Sequence, residues 1–301
     1  QAAAKAAVRA VPTFGEFADT YVAAMRSSWR NPKHAAQWTS TLLNLAASIR
    51  PLPINEIDTP QIIEVLQPIW SKTPETASRL RGRIEAILDA ARTKGFRVGE
   101  TPARWKGHLA PLLAKRQRLS RGHHRALDFK TMPDFMRDLR RDENIAARLL
   151  EFTVLTAARS GEARGARWSE IDLDAAVWTI PAGRMKMARE HRVPLSGRAV
   201  EILRVMEPLK STGGLVFANP TNGRMFSESA AGAVLARLGF GDKATGHGFR
   251  STFRTWAGET TLFQREVCEG ALAHSTADKV EAAYARGDLF EKRRALMTAW
   301  E

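Results

Sequence analysis

At 301 residues the chain is long enough for two domains with separate cores, and its 44% hydrophobic and 26% charged content excludes wholesale disorder. No apolar run approaches the ~18 residues of a membrane-spanning helix, and the single Cys268 excludes an internal disulfide and points to a reducing compartment. The formal net charge of +14 suggests a polyanionic partner, by long-range attraction and counterion release, although a merely soluble basic protein has the same composition.

In chain order, the alanine-rich opening Gln1 to Ala10 reads as a helical linker rather than a transit peptide. Thr13 then offers an N-cap to a helix through Arg26, with Phe14, Phe17, Tyr21 and Met25 at helical spacing. A second amphipathic segment runs from Pro32 to Ile49. Thr59-Pro60 opens a third that continues through Trp70. Ser78 to Lys94 is the clearest helix, with Leu80, Ile84, Ile87, Leu88 and Ala91 on one face. Arg79, Arg81, Arg83 and Arg92 flank that stripe, and both a solvated basic face and a phosphate-contacting face fit them.

Residues 99–124 change character. Glycines, prolines and the basic run Lys115, Arg116 and Arg118 read as a connector able to lie along a phosphate backbone, and His123-His124 lack any matching metal-ligand spacing. Residues 1–120 carry 18 Lys+Arg against 9 Asp+Glu and the remainder 28 against 23, so the first part looks like a DNA clamp and the second more like an enzyme. Beyond the connector, Asp128–Leu139 and Asn144–Thr156 read as helices. Ile171–Leu173, Val177–Ile180 and His191–Leu195 read as short strands, and helical patterning returns from Ser196. The expected fold is mainly α with a small antiparallel sheet. Its boundaries are 1–12 linker, 13–116 helical DNA-binding domain, 117–126 inter-domain linker and 127–301 catalytic domain ending in a tail helix. Cys268 lies between Glu266 and Glu269, which disfavour a thiolate, so it reads as a small buried hydrophobe.

Five stretches carry candidate chemistry: Thr156-Ala-Ala-Arg159-Ser-Gly-Glu162, Arg184-Met-Lys186 through His191 to Leu195, His247-Gly-Phe-Arg250, Leu272-Ala-His274, and Ala283-Tyr284-Ala-Arg286. Taken singly, His247, Arg250 and Lys186 have bland readings as surface residues. Arg159 follows a buried-looking run and has Glu162 three residues on, the spacing of a guanidinium held by a carboxylate.

Together the five resemble, in order and spacing, the catalytic half of the tyrosine recombinases, and within them the integrases of the P4-phage and genomic-island type. The resemblance covers residues 125–301, while 13–116 share only the helical pattern and charge of the family's core-binding domain. It implies a site-specific recombinase that cuts one strand at a time through a 3′-phosphotyrosine, for integration or excision of a mobile element such as a prophage or genomic island. Tyr284 is then the nucleophile. Arg159, Arg250 and His274 are then ligands of the phosphoryl oxygens, Lys186 the acid for the leaving 5′ oxygen, His247 a base or proton shuttle, and Glu162 an orienting carboxylate. Ala157-Ala158 departs from a glycine common in relatives.

The resemblance further implies double-stranded attachment sites, a monomer when free and a homo-tetramer on DNA, accessory DNA-bending or directionality proteins, a bacterial cytoplasmic location, and an arm-site-binding domain before residue 1. It implies no metal, no other cofactor and no membrane partner. Residues 288–300 form a helical pattern that suits either packing on its own domain or docking on a neighbouring subunit, which the resemblance favours. The alternatives are a type IB topoisomerase, which shares the chemistry, and a non-catalytic architectural DNA-binding protein.

Overall fold

The computed structural model describes residues 10–29, 32–114, 125–210, 212–274 and 287–301. The chain divides into two compact units, residues 1–120 and 121–301.

Among the described residues, the first unit is built on α1 (Phe14–Met25), α2 (Pro32–Leu45), α3 (Thr59–Trp70) and α4 (Pro74–Thr93). Thr13 starts α1 reciprocally: its hydroxyl accepts the Glu16 amide at 3.2 Å while the Glu16 carboxylate accepts the Thr13 amide at 2.9 Å. Phe14, Leu42, Ile62, Leu66, Leu80, Ile84, Ile87 and Leu88 close a single apolar core. Helix α4 begins at Pro74, four residues before the expected Ser78, because proline in the first turn forfeits only an amide that would have no helical partner.

Two of the arginines flanking the α4 stripe are engaged within the domain. Arg83 is buried, donates to the Gln37 carbonyl at 2.8 Å and to the Thr41 hydroxyl, and lies over the Trp38 ring. Arg81 donates to Glu85 at 2.6 Å and to the Ala103 carbonyl at 2.7 Å. Their long stems lie along apolar surface and their heads find carbonyls on neighbouring segments, so both brace the domain from within. Arg79 is exposed and 3.8 Å from Glu75, a geometry that leaves it presentable to a phosphate.

The second unit contains α5 (Met132–Arg141), α6 (Ile145–Leu155), α7 (Ser160–Arg164), α8 (Gly197–Met206), α9 (Ala230–Arg237), α10 (Gly248–Thr260), α11 (Arg265–Ala271) and α12 (Phe290–Trp300). Between α7 and α8 lies a three-stranded antiparallel sheet, β1 (Ile171–Asp172), β2 (Val177–Ile180) and β3 (His191–Pro194), in that order. Trp178 pairs with Val193 and Ile180 with His191, and the period of two sends Trp178, Ile180 and Val193 into a core with Phe135, Phe152, Phe217 and Phe249. A second apolar cluster joins Ala157, Phe253, Val267, Cys268, Leu272, Leu296 and Met297. Cys268 is buried there, and burial pushes its thiol up, so it packs as the expected small hydrophobe. Among the described residues, no helix is long and apolar enough to cross a membrane.

Helix α12 packs on its own domain in this chain, against β3 and α11. Arg293 is 1% exposed and donates to the Asp288 carbonyl at 2.6 Å, the Asp288 carboxylate at 3.0 Å and the Arg192 carbonyl at 2.6 Å. Trp300 donates to the Val154 carbonyl at 2.9 Å, and Leu296 is fully buried. Leu296→Ala is therefore expected to destabilise the folded chain by about 2–5 kcal/mol, read from its denaturant midpoint. A change below about 1 kcal/mol would mean that α12 contributes little to the domain in solution.

Candidate active site

The site is assembled where three helix ends meet. Helix α6 stops at Leu155, and Ala157 follows in the left-handed region at φ 48°, a conformation that costs a side-chain-bearing residue roughly 1 kcal/mol and that glycine adopts freely. The departure from glycine noted in the sequence therefore lies at a position with a conformational reason for glycine. The turn brings Arg159 to the start of α7, where the Glu162 carboxylate takes the Arg159 amide at 2.9 Å with one oxygen and Arg159 Nη1 at 2.8 Å with the other. Glu162 is 6% exposed, so this carboxylate both caps the short helix and sets the plane of the guanidinium. Arg159 Nη2 donates to the Ala273 carbonyl at 3.2 Å.

Ala273 also sits in the left-handed region, at φ 49°, just past α11. The two helix C-termini thus turn carbonyl groups, already the negative end of each helix, toward arginines. Arg250 Nη1 donates to the Ala157 carbonyl and Nη2 to the Leu272 carbonyl at 2.6 Å. Its neighbours on α10 explain the placement: Phe249 enters the main core and Phe253 the second cluster, leaving Arg250 in the seam. Burial, and then the charge of Arg159, lower its pKa to about 10, which leaves it cationic at neutral pH. Two like charges are thus held close by carbonyls and Glu162, an arrangement that favours an entering dianion or phosphodiester.

His274 follows the α11 turn. Its Nε2 lies 3.1 Å from Arg250 Nη2, and its Nδ1 lies 2.7 Å from a Glu269 carboxylate oxygen. The other Glu269 oxygen accepts from Arg254 Nε at 2.8 Å. Burial tends to raise the Glu269 pKa, but the hydrogen bonds from Arg254 and His274 outweigh it and hold the carboxyl below its ordinary value.

His247 is exposed at the first turn of α10, its carbonyl accepting the Arg250 amide at 3.2 Å. The next residue, Gly248, packs against the backbone of Arg125 so closely that an added Cβ would lie 2.0 Å from the Arg125 carbonyl oxygen, so glycine there is a packing requirement. Lys186 is exposed in the β2–β3 connection, next to the buried Met185. Arg159, Glu162, Arg250 and His274 are brought together, whereas Lys186 and His247 stand on exposed segments. Tyr284, Lys115, Arg116 and Arg118 lie outside the described residues.

Three residues of this region escaped the sequence reading as site members: Glu269, Arg254 and His191. Arg254 is one helical turn from Arg250 on α10, a spacing that could have suggested it. His191, at the start of β3, has its pKa pushed down to about 4 by burial first and then by Arg293 and Arg159, against the opposing pull of Glu162. With its pKa near 4 the imidazole is neutral at neutral pH, within electrostatic reach of Arg159 and Glu162. Among the described residues, no group of three or more His, Cys, Asp or Glu side chains could hold a metal ion.

Comparison with known proteins matches residues 14–108 to the phage integrase central domain and residues 125–289 to the phage integrase family. Prophage integrase IntA of Escherichia coli strain K12 is 33% identical over 269 residues, covering 87% of this chain and 63% of that protein. The integrase of Enterobacteria phage P4 is 30% identical over 244 residues, covering 75% and 54%. The chain thus spans between about half and two thirds of the length of these relatives. The fold is shared with a lambda integrase tetramer bound to a Holliday junction, at TM-score 0.66 and 17% identity over 92% of this chain and 78% of that one. It is also shared with the Tn1549 transposon integrase in complex with circular intermediate DNA, at TM-score 0.63 and 13% identity over 95% and 99%. The segment 125–289 encloses every candidate residue from Arg159 to Tyr284, and the chain belongs to the phage integrase family of tyrosine recombinases.

Proposed function

We propose that this chain is the DNA-binding and catalytic portion of a site-specific recombinase that integrates or excises a mobile element. The observation that carries the reading is the convergence of Arg159, Arg250 and His274, from three separate elements, on one cationic site within the integrase-matched segment. Phosphodiester transesterification needs such a site, because negative charge builds on the non-bridging oxygens as the phosphorus is attacked.

In this mechanism Tyr284 Oη attacks the scissile phosphorus and its proton passes to His247. The bond to the 5′ oxygen breaks as Lys186 donates a proton to it, leaving a 5′-hydroxyl and a 3′-phosphotyrosine. Arg159 and Arg250 hold the non-bridging oxygens, His274 adds a hydrogen bond, and Glu162 orients Arg159. Attack by a 5′-hydroxyl of the partner strand reverses the step, and two such exchanges pass through a Holliday junction. Arg79, Arg81, Arg83, Lys115, Arg116 and Arg118 are the candidates for phosphate contacts along the duplex, Arg79 being the exposed one of the first three, in keeping with the charge excess of residues 1–120. The chain acts on double-stranded attachment sites in the bacterial cytoplasm, as a monomer when free and a tetramer on DNA, with accessory DNA-bending or directionality proteins. The shared fold with a DNA-bound integrase tetramer supports that assembly.

The test is a nicked suicide duplex, on which a covalent protein–DNA adduct is expected. Joining of two marked duplexes separates recombination from topoisomerase action, and a chain that binds but forms no adduct is architectural. Because the cations are supplied by arginines, cleavage is expected to be unchanged by a chelator. Loss on chelation, restored by a divalent ion, overturns the mechanism.

A further inference from the structure

Outside the roles assigned so far, the most informative group is Glu269. Its two carboxylate oxygens are committed to different partners, Arg254 Nε at 2.8 Å and His274 Nδ1 at 2.7 Å. An ionised carboxylate only accepts hydrogen bonds, so the proton between Glu269 and His274 belongs to Nδ1. A guanidinium only donates, so at the 3.1 Å contact His274 Nε2 accepts from Arg250. The two contacts together match the hydrogen-bonding pattern of an Nδ1–H imidazole, held between an anion and a cation.

That state is the wrong one for stabilising a phosphoryl oxygen, since Nε2 then has a lone pair and nothing to donate. Nε2 can donate to the substrate only after gaining a proton, and the resulting imidazolium keeps its Nδ1–H on Glu269. One Arg250 Nη2 hydrogen is simultaneously freed for the phosphate, because a protonated Nε2 no longer accepts it, while the other stays on the Leu272 carbonyl.

We propose that Glu269 is a positioning residue that fixes the His274 tautomer and supports its imidazolium, so that phosphate binding and proton uptake at His274 occur together. Arg254 holds the second carboxylate oxygen and so keeps Glu269 from rotating. The proposal rests on the strand-transfer reading, and it adds a proton-uptake step at the phosphate that the roles assigned above do not contain. The charged groups facing the ring among the described residues are Glu269 from α11 and Arg250 from α10, with Arg254 behind Glu269 and Arg159 at the adjacent Ala273 carbonyl. With the carboxylate removed, the ring loses the anion it contacts among the described residues. The imidazolium loses the anion that supports it, and the alkaline limb of cleavage is expected to move down.

The experiment measures single-turnover cleavage of the suicide duplex against pH for wild type, Glu269→Gln, Glu269→Asp, His274→Ala and the Glu269→Gln/His274→Ala double variant. Thermal unfolding and duplex binding are measured alongside. Glu269→Gln is expected to lose about 10–100-fold at neutral pH, by analogy with carboxylates that orient metal-bound histidines. Its alkaline limb should shift to lower pH, Glu269→Asp should recover part of the rate, and the double variant should be no slower than His274→Ala. Additive losses, or a rate loss with an unshifted profile, reduce Glu269 to a structural role and overturn the proposal. Imidazole nitrogen NMR of the full chain without DNA reads the pair independently of cleavage. An Nδ1–H tautomer in wild type is expected, and an Nε2–H tautomer in wild type overturns the proposal. If wild type forms no adduct, the strand-transfer reading fails, and the NMR result still decides the Glu269–His274 pair.

Discussion

Tyr284→Phe is expected to abolish the covalent adduct, by more than about 10⁴-fold in single-turnover rate, while changing duplex affinity less than about fivefold. The two effects separate because the phenolic oxygen is the atom that bonds to phosphorus, whereas affinity is spread over many phosphate contacts and the counterions they release. The chain has only two tyrosines. Tyr21 belongs to α1, with its ring 5.8 Å from Trp38, in an aromatic group that also includes Trp29 and His34. Gel separation of the adduct from free protein, with the two variants Tyr284→Phe and Tyr21→Phe, checks the assignment. An adduct surviving in Tyr284→Phe removes Tyr284 as the nucleophile, and one lost only in Tyr21→Phe assigns the role to Tyr21.

The residues of the second unit were legible in the sequence to unequal degrees, for reasons that are local. The β2–β3 pair follows from alternation, since Trp178 and Ile180 take the inward positions that a period of two assigns them. The Arg159–Glu162 contact follows from a spacing of three at a helix start. Glu269 and His274 are five residues apart, with a helix end and a left-handed alanine between them, and no helical spacing rule brings such positions together. His191 looked like a strand residue in a basic hairpin, because the groups that perturb its ring, Arg293 and the Ala271 backbone, are distant in sequence. In the first unit, periodicity identified the apolar stripe of α4 correctly. It could not show that Arg81 and Arg83, at the edge of that stripe, turn inward to carbonyls of other segments. Propensity reports which face is apolar; where a long cationic side chain ends is decided by the acceptors within its reach.

Lys186→Ala is expected to slow cleavage of an ordinary strand by about 10²–10⁴-fold and to cleave a strand with sulfur at the 5′ bridging position nearly as fast as wild type. The contrast follows from leaving-group chemistry: a thiol near pKa ~8.5 departs as an anion, whereas an alkoxide needs a proton in the transition state. The structure gives the lysine a firm base and a free end. Arg184 donates to the Glu170 carboxylate and to the Glu162 carbonyl, and Met185 is buried in the main core. The residue whose carboxylate orients Arg159 therefore also anchors the strand connection, and Lys186 is the first exposed position beyond that anchor. Lys186→Arg separates charge from acidity. It keeps the cation but gives up a proton far less readily, so it is expected to match Lys186→Ala on the oxygen substrate and wild type on the sulfur one. Equal impairment of both variants on both substrates would assign Lys186 to DNA binding, and full activity of Lys186→Arg on oxygen would show that its charge, not its proton, is what the reaction uses.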